Sequence, residues 1–256
     1  MPSREAPSQF PNEYVNAFDR HRSSDTKRVG IWAERIRAEI GLEQIESFAD
    51  LGCGVGRFME PLSKGVRRCL GLDQNSRMIE IARQRGLGNV EWVVGTIEDH
   101  NFQDEKFDCV LLSMVLEHVS SAETVFAVVR KLVRQGGMLV VRTMLPSDLH
   151  TTTWYGFSDT ALSLEVSRTP SVDFFGDVSR LFGFEIVRRS SYVDKVDCKI
   201  ALQLPDRLAS RSFQVLSILS DQELEKAVRA ARAAIQQVGW QEMMSASLIT
   251  MRRTDD

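Results

Sequence analysis

Residues 50–58 read DLGCGVGRF, a loop with a glycine at every second position from 52 to 56. It follows a short apolar run, Ser47–Leu51, and opens a helix-forming segment, which is the context that gives a glycine-rich loop meaning. Gly52, Gly54 and Gly56 let the chain turn tightly and let a ligand approach backbone with no side chain in the way. The spacing is G-x-G-x-G. A dinucleotide loop, G-x-G-x-x-G, would place its third glycine at Arg57, where a bulky side chain opposes the helix–strand contact a pyrophosphate loop needs. No G-K-[ST] follows, so a triphosphate loop is also disfavoured.

Outward from this loop, strands alternate with helices. Short apolar runs at Ser47–Leu51, Cys69–Leu72, Val90–Val94, Phe107–Ser113 and Met138–Arg142 read as strands covered on both faces. Helices are expected at about 26–40, with Val29, Trp32, Ala33, Ile36 and Ile40 on one face and Gly41 as stop, and at about 76–85. Ser120 with Glu123 predicts a capping box ahead of a helix ending at Gly136-Gly137. Thr169-Pro170 predicts a helix start, then Phe184–Arg188 a sixth strand and Ser247–Met251 a seventh. Ser220 with Glu223 predicts a second capping box, with its helix running to Val238 and Gly239. The alternation implies an α/β fold: a Rossmann-like, doubly wound, mostly parallel seven-stranded sheet with helical lid insertions. We expect a single domain over 1–256: an arm and helix at 1–44, a core at 45–142, and lid segments at 143–169 and 194–242.

Composition narrows the function classes. The 256 residues are 43% hydrophobic, enough for one substantial core, and the net charge of −3 brings no basic stripe for nucleic acid. Cys53, Cys69, Cys109 and Cys198 show no C-x-x-C spacing, so no metal is expected and free thiols in a reducing cytoplasm are the simpler account. No leader-like apolar region opens the chain, and no run of about 18 apolar residues suggests a membrane span.

Asp73, in CLGLDQN, stands 23 residues after Asp50. A carboxylate at the end of the second strand accepts hydrogen bonds from both ribose hydroxyls and selects an unphosphorylated ribose.

These residues resemble the class I S-adenosylmethionine (SAM)-dependent methyltransferases, specifically over 45–142 and more loosely over 145–190. The resemblance implies SAM or S-adenosylhomocysteine as cofactor and an enzyme that methylates a small molecule, as in secondary metabolism. It implies that Asp50, Gly52, Cys53, Gly54 and Gly56 surround the methionine part, with Cys53 a small filler. It implies that Asp73 and Gln74 face the ribose and that Met78 packs on adenine. GTIED, 95–99, is similar to the third motif, but Thr96 stands where the family carries an Asp that contacts the adenine amino group. The Thr96 hydroxyl or the next acidic residues would take that role, and Ile97 would cover the ring. FDCVLLSMVLEHV, 107–119, is similar to the fourth motif, so Ser113 and Met114 would line the pocket near the sulfonium and His118 would orient a loop or touch substrate. Tyr14 and Arg20, in the N-terminal segment, would close over the methionine end, an aromatic and a cation that would cover it and meet its carboxylate.

Methyl transfer needs alignment above all, which supplies about 7–11 kcal/mol. A base adds about 10²–10⁴-fold and only where the nucleophile must lose a proton. Candidates for it lie in HTTTWYGFSD, 150–159: His150, Tyr155 and Asp159, with Trp154 flanking a substrate. The alternatives are a fold that binds SAM structurally and catalyses another displacement such as an intramolecular cyclisation, and a non-catalytic partner of an accessory protein. A nucleic-acid methyltransferase is the remotest reading. Monomer and homodimer both remain open.

Overall fold

A computed structural model describes residues 26–41, 45–211 and 213–254. Tyr14 and Arg20 lie outside the described residues. Helix α1 (Thr26–Ile40) buries Trp32, Ala33, Ile36 and Ile40, the expected face. Then come β1 (Ser47–Leu51), α2 (Met59–Leu62), β2 (Arg68–Asp73), α3 (Ser76–Arg83), β3 (Val90–Val94) and β4 (Phe107–Ser113). Next are α4 (Ala122–Leu132), β5 (Val133–Thr143), α5 (Pro146–Thr151), a 3-10 turn (Thr153–Phe157), α6 (Asp159–Arg168), α7 (Val172–Leu181) and β6 (Phe184–Lys195). Short α8 (Cys198–Ala201) and α9 (Leu204–Ala209), then α10 (Asp221–Ala234), lead to β7 (Met243–Arg253).

The strands form one seven-stranded sheet in the order β3-β2-β1-β4-β5-β7-β6. β1 pairs in parallel with β2 and β4, β2 with β3, and β4 with β5. Bonds from Thr254 N to Gly183 O and from Val196 N to Glu242 O join opposite ends of β6 and β7, which therefore run antiparallel. The chain winds outward from β1 to β3, then returns to β4 on the other side of β1. Strand order reverses there, so the C-terminal ends of β1 and β4 border the crevice where such sheets take ligands. The strands at this centre are almost wholly buried: Phe48, Ala49 and Leu51 in β1, and Phe107, Cys109, Val110 and Leu111 in β4.

Several local expectations shift. The N-cap of α4 is Ser121, not Ser120; its hydroxyl accepts from Thr124 N at 3.1 Å. Gly136-Gly137 does not end that helix. The pair lies inside β5, at a register break between Phe107↔Val133 and Cys109↔Met138. A Cβ on Gly137 would stand 2.9 Å from Asp108 O, so glycine there permits the close approach. Thr169 caps the C-terminal end of α6 instead of opening a helix, and α7 begins at Val172. Helix α6 escapes the sequence reading because DTALSLEVSR puts Ala161, Leu162, Leu164 and Val166 nearly in alternation, and Ala161 alone is buried. The Ser220–Glu223 capping box forms as expected, with Ser220 N donating to Glu223 Oε2 at 3.0 Å. Its helix stops at Ala234, short of the exposed Val238.

The chain divides into two compact units. One comprises the chain up to Thr143, Asp173–Arg189, and the chain from Leu248 onward. Its core includes Phe126 against Phe174, Phe175 and Phe182 at centroid distances of 6.1, 6.5 and 6.3 Å. The other comprises Met144–Val172 and Ser190–Ser247. It packs Leu149, Trp154, Tyr155, Leu204, Leu208 and Leu216 together. It also buries an ion pair, Arg207 Nη1 and Nη2 to Glu242 at 2.8 and 3.1 Å. A buried carboxylate, Asp148, accepts from Leu145 N at 2.8 Å, Ser247 Oγ at 2.7 Å and Ser245 Oγ. No described helix is long and apolar enough to cross a membrane.

Candidate functional site

The glycine loop is clamped to the neighbouring strand. Gly52 N and Cys53 N both donate to Leu72 O, at 2.7 and 2.9 Å. Gly54 N donates to Asp73 Oδ2 at 2.8 Å, and Asn75 N to Asp73 Oδ1 at 2.9 Å. The Asp73 carboxylate thus joins the end of β2 to the loop after β1. Each of its oxygens has one lone pair committed and further acceptor capacity, as two ribose hydroxyls require. Burial raises its pKa, while the two backbone bonds and the nearby His118 pull the other way.

The glycines have separate reasons. Gly56 has φ +71°, and a Cβ there would meet the Trp92 ring at 2.4 Å. A Cβ on Gly52 would strike Val115 at 2.4 Å. Gly54 has φ +55°, and a Cβ there would find no atom within 4 Å. The loop is therefore packed at its two ends and open in the middle.

Asp50, two residues before Gly52 near the end of β1, is 1% exposed. Among the described residues no hydrogen-bond donor reaches its Oδ1. Burial, and next the charge of Asp73, push its pKa up to about 7 against a smaller opposing effect of Arg57. A buried carboxylate lacking a donor disfavours a phosphate and favours a cation. Cys53 is buried in the loop with its thiol pKa raised by burial, which makes it an inert filler.

On the β2–β3 side, Met78 is buried with Val55 and beside Ile81, next to the loop. Asn75 caps α3 there, accepting from Arg77 N and Met78 N at 3.0 and 3.2 Å. Gln74 is exposed, and Ile97 is buried. The Thr96 hydroxyl donates to Asp99 Oδ2 at 2.9 Å and accepts from Asp99 N at 3.1 Å. On the β4 side, Ser113 ends the strand and Met114 follows with φ +57°, its N–H bonded to Arg142 O at 2.8 Å. Such a left-handed non-glycine residue costs about 1–3 kcal/mol and clusters at ligand sites. His118 N donates to Val115 O at 2.8 Å, so the imidazole sits on a short turn beyond the strand.

The loop after β5 belongs to the other unit. There Tyr155 is 5% exposed and stacks on Trp154, ring centroids 3.8 Å apart, while Trp154 stacks on Phe213 at 4.4 Å. His150 and Asp159 are exposed, Asp159 in the first turn of α6 behind its cap Ser158. Tyr155 is thus grouped with the apolar core, and the two other candidates with the surface.

Sequence reasoning passed over Arg142. It is the last residue but one of β5, only 6% exposed and stacked 4.4 Å from the Trp32 ring. Its signal was present: an arginine closing the otherwise apolar run MLVVR.

A methyltransferase-domain family model matches residues 49–141, which span the loop, Asp73 and β4. A ubiquinone biosynthesis O-methyltransferase of Sinorhizobium fredii is 35% identical over 98 residues, 37% of this chain and 40% of that protein. The methyltransferase YcgJ of Bacillus subtilis is 32% identical over 104 residues, 39% of this chain and 41% of that protein. The chain thus spans about two fifths of the length of these curated relatives. The crystal structure of YcgJ superposes with a TM-score of 0.55 at 16% identity, covering 89% of this chain and 98% of that one. The [4+2]-cyclase SpnF superposes with a TM-score of 0.57 at 16% identity, covering 88% and 80%. Loop motif, strand order and domain match converge on one segment: residues 49–141 match a methyltransferase domain, set in a fold shared with solved methyltransferases.

Proposed function

We propose that the chain moves a methyl group from S-adenosylmethionine to a small-molecule acceptor in natural-product biosynthesis, with alignment as the main source of rate. The observation that carries this reading is the buried Asp50 carboxyl, short of a donor, at the strand end that leads into a loop open at Gly54. A pyrophosphate would be repelled there, whereas the ammonium of an amino-acid tail gives Oδ1 its partner.

When bound, the cofactor supplies an electrophilic methyl group on sulfur. Asp50 holds the ammonium, and the loop backbone from Gly52 to Gly56 shapes the channel. Asp73 and Gln74 hold the ribose hydroxyls. Met78 and Ile97 enclose the base, whose amino group meets Thr96. Ser113 and Met114 border the reacting end. Holding the acceptor atom in line with the methyl accounts for about 7–11 kcal/mol of barrier lowering. Where the acceptor must lose a proton, His118, His150, Tyr155 and Asp159 are the groups to test.

Methyl-labelled S-adenosylmethionine offered with panels of phenols, amines and carbon acids, followed by mass spectrometry of products, tests the proposal. Label in a product supports it. Failure of the protein to bind S-adenosylhomocysteine in calorimetry removes it.

A second reading uses the same pocket for another displacement, such as an intramolecular cyclisation. The commitment of the Thr96 hydroxyl to Asp99 favours keeping it, because the family's acidic contact to adenine is altered. The fold shared with a [4+2]-cyclase supports keeping it too. Turnover without incorporated label would select this reading.

A further inference from the structure

An α-amino-acid tail carries a carboxylate next to its ammonium. A site that gives the ammonium to Asp50 therefore requires a cation close by for the second charge. The sheet register points to one. Asp50 pairs with Leu111, and Leu111 with Val140. Two residues farther along, Ser113 pairs with Arg142. Alternate residues of a strand share a face, and paired residues of neighbouring strands do too. Asp50, Ser113 and Arg142 thus lie on one face, with Ser113 and Arg142 about 7 Å nearer the C-terminal edge at the usual rise per residue.

The guanidinium of Arg142 is held in place. It sits 4.4 Å from the Trp32 ring centroid and 5.6 Å from that of Phe58, and Nη1 donates to Ser113 Oγ at 3.4 Å. Phe58 follows the glycine loop directly, so one wall of this sleeve is continuous with the cofactor loop. A planar fork of donors, oriented by two aromatic rings, suits a carboxylate. Among the described residues Arg57 is the competing cation; Arg20 lies outside them. Arg57 acts on Asp50, but it also lines a surface cleft of about 190 Å³ with Thr26, Glu60, Lys64 and Arg85.

We infer that Arg142 receives the carboxylate of the cofactor's amino-acid tail and so selects full-length S-adenosyl amino acids over truncated adenosyl thioethers. The inference rests on the S-adenosylmethionine reading above.

The experiment measures dissociation constants for S-adenosylhomocysteine and for 5′-methylthioadenosine, which lacks the amino acid, in wild type, Arg142→Met, Arg142→Lys and Arg57→Met. Arg142→Met should weaken S-adenosylhomocysteine on the order of 10- to 100-fold while leaving methylthioadenosine within about twofold. Arg142→Lys, with charge but no fork, should fall between, and Arg57→Met should change the ratio of the two affinities less. An unchanged ratio in Arg142→Met, or equal loss of both ligands, overturns the inference. Should Arg142→Met fail to fold by circular dichroism, the ratio in Arg142→Lys decides in the same way. Wild type that binds neither ligand removes the cofactor reading itself, and wild type that binds both equally removes only this step.

Discussion

Replacing Asp50 by asparagine keeps the shape of a wholly buried side chain and removes its ability to ionise. The carboxyl has its pKa lifted from 3.8 to about 7, chiefly by burial. At about 1.36 kcal/mol for each pH unit of displacement, the protonated form is favoured by roughly 4 kcal/mol more in the folded chain than in the unfolded one. The folded state binds the extra proton between these two values, so stability falls as pH rises from about 4 to about 7 and then levels. The asparagine variant loses that slope. Near pH 4 the variant should be the less stable by about 1–3 kcal/mol, the cost of its unsatisfied amide. Near pH 8 the ligand-free variant should be the more stable, by up to the same ~4 kcal/mol less about 1–3 kcal/mol for its unsatisfied amide. That difference amounts to several degrees in melting temperature for a chain of this size. Ligand binding should move in the opposite direction. The ammonium of S-adenosylhomocysteine favours ionised Asp50, so wild-type affinity should rise with pH up to about 7, with a proton released on binding below that point. The variant should bind weakly and without this pH dependence. Thermal melts at pH 4 to 8, with calorimetry in buffers of different ionisation enthalpy, provide both readings. Parallel melting curves for wild type and variant across that range would refute the reasoning, since Asp50 would then titrate as an ordinary surface carboxylate.

Gly54→Ala should cost about 1 kcal/mol in stability yet lower S-adenosylhomocysteine affinity strongly, because its methyl enters open space at φ +55°. Gly56→Ala should instead destabilise by more than about 2 kcal/mol through the Trp92 clash, as denaturant titration of the pair would show. Asp108→Ala should cost about 2–3 kcal/mol, since Asp108 Oδ2 accepts from Glu46 N and Ser47 N at 2.7 and 2.9 Å at the start of β1. Arg207→Met alone should cost about 3–5 kcal/mol by stranding buried Glu242, whereas Arg207→Met with Glu242→Leu should recover most of it; equal losses in both proteins would disprove the desolvation argument.

The order of strands along the chain was legible because each central strand is covered on both faces. Burial on both sides demands an unbroken apolar run, and Ser47–Leu51 and Phe107–Ser113 begin and end in the structure where their runs do, whereas Val90–Val94 is an edge strand with Glu91 and Val94 exposed rather than covered on both faces. The glycine loop was legible too, because backbone turning with φ near +80° at Gly52 is a local demand that local residue choice reveals. What those local signals serve emerges only when the chain packs. Nothing near Gly56 in the sequence announces that Trp92, 36 positions later, fills the space where a side chain would go. Nor does the run MLVVRT show that Arg142 ends between Trp32 and Phe58, or that Gly136-Gly137 bends β5 over Asp108 instead of stopping a helix. A residue pattern along one element reports how much of it is buried, and with what period. Which distant group does the burying, and which buried charge is left needing a partner, is set only when the elements meet.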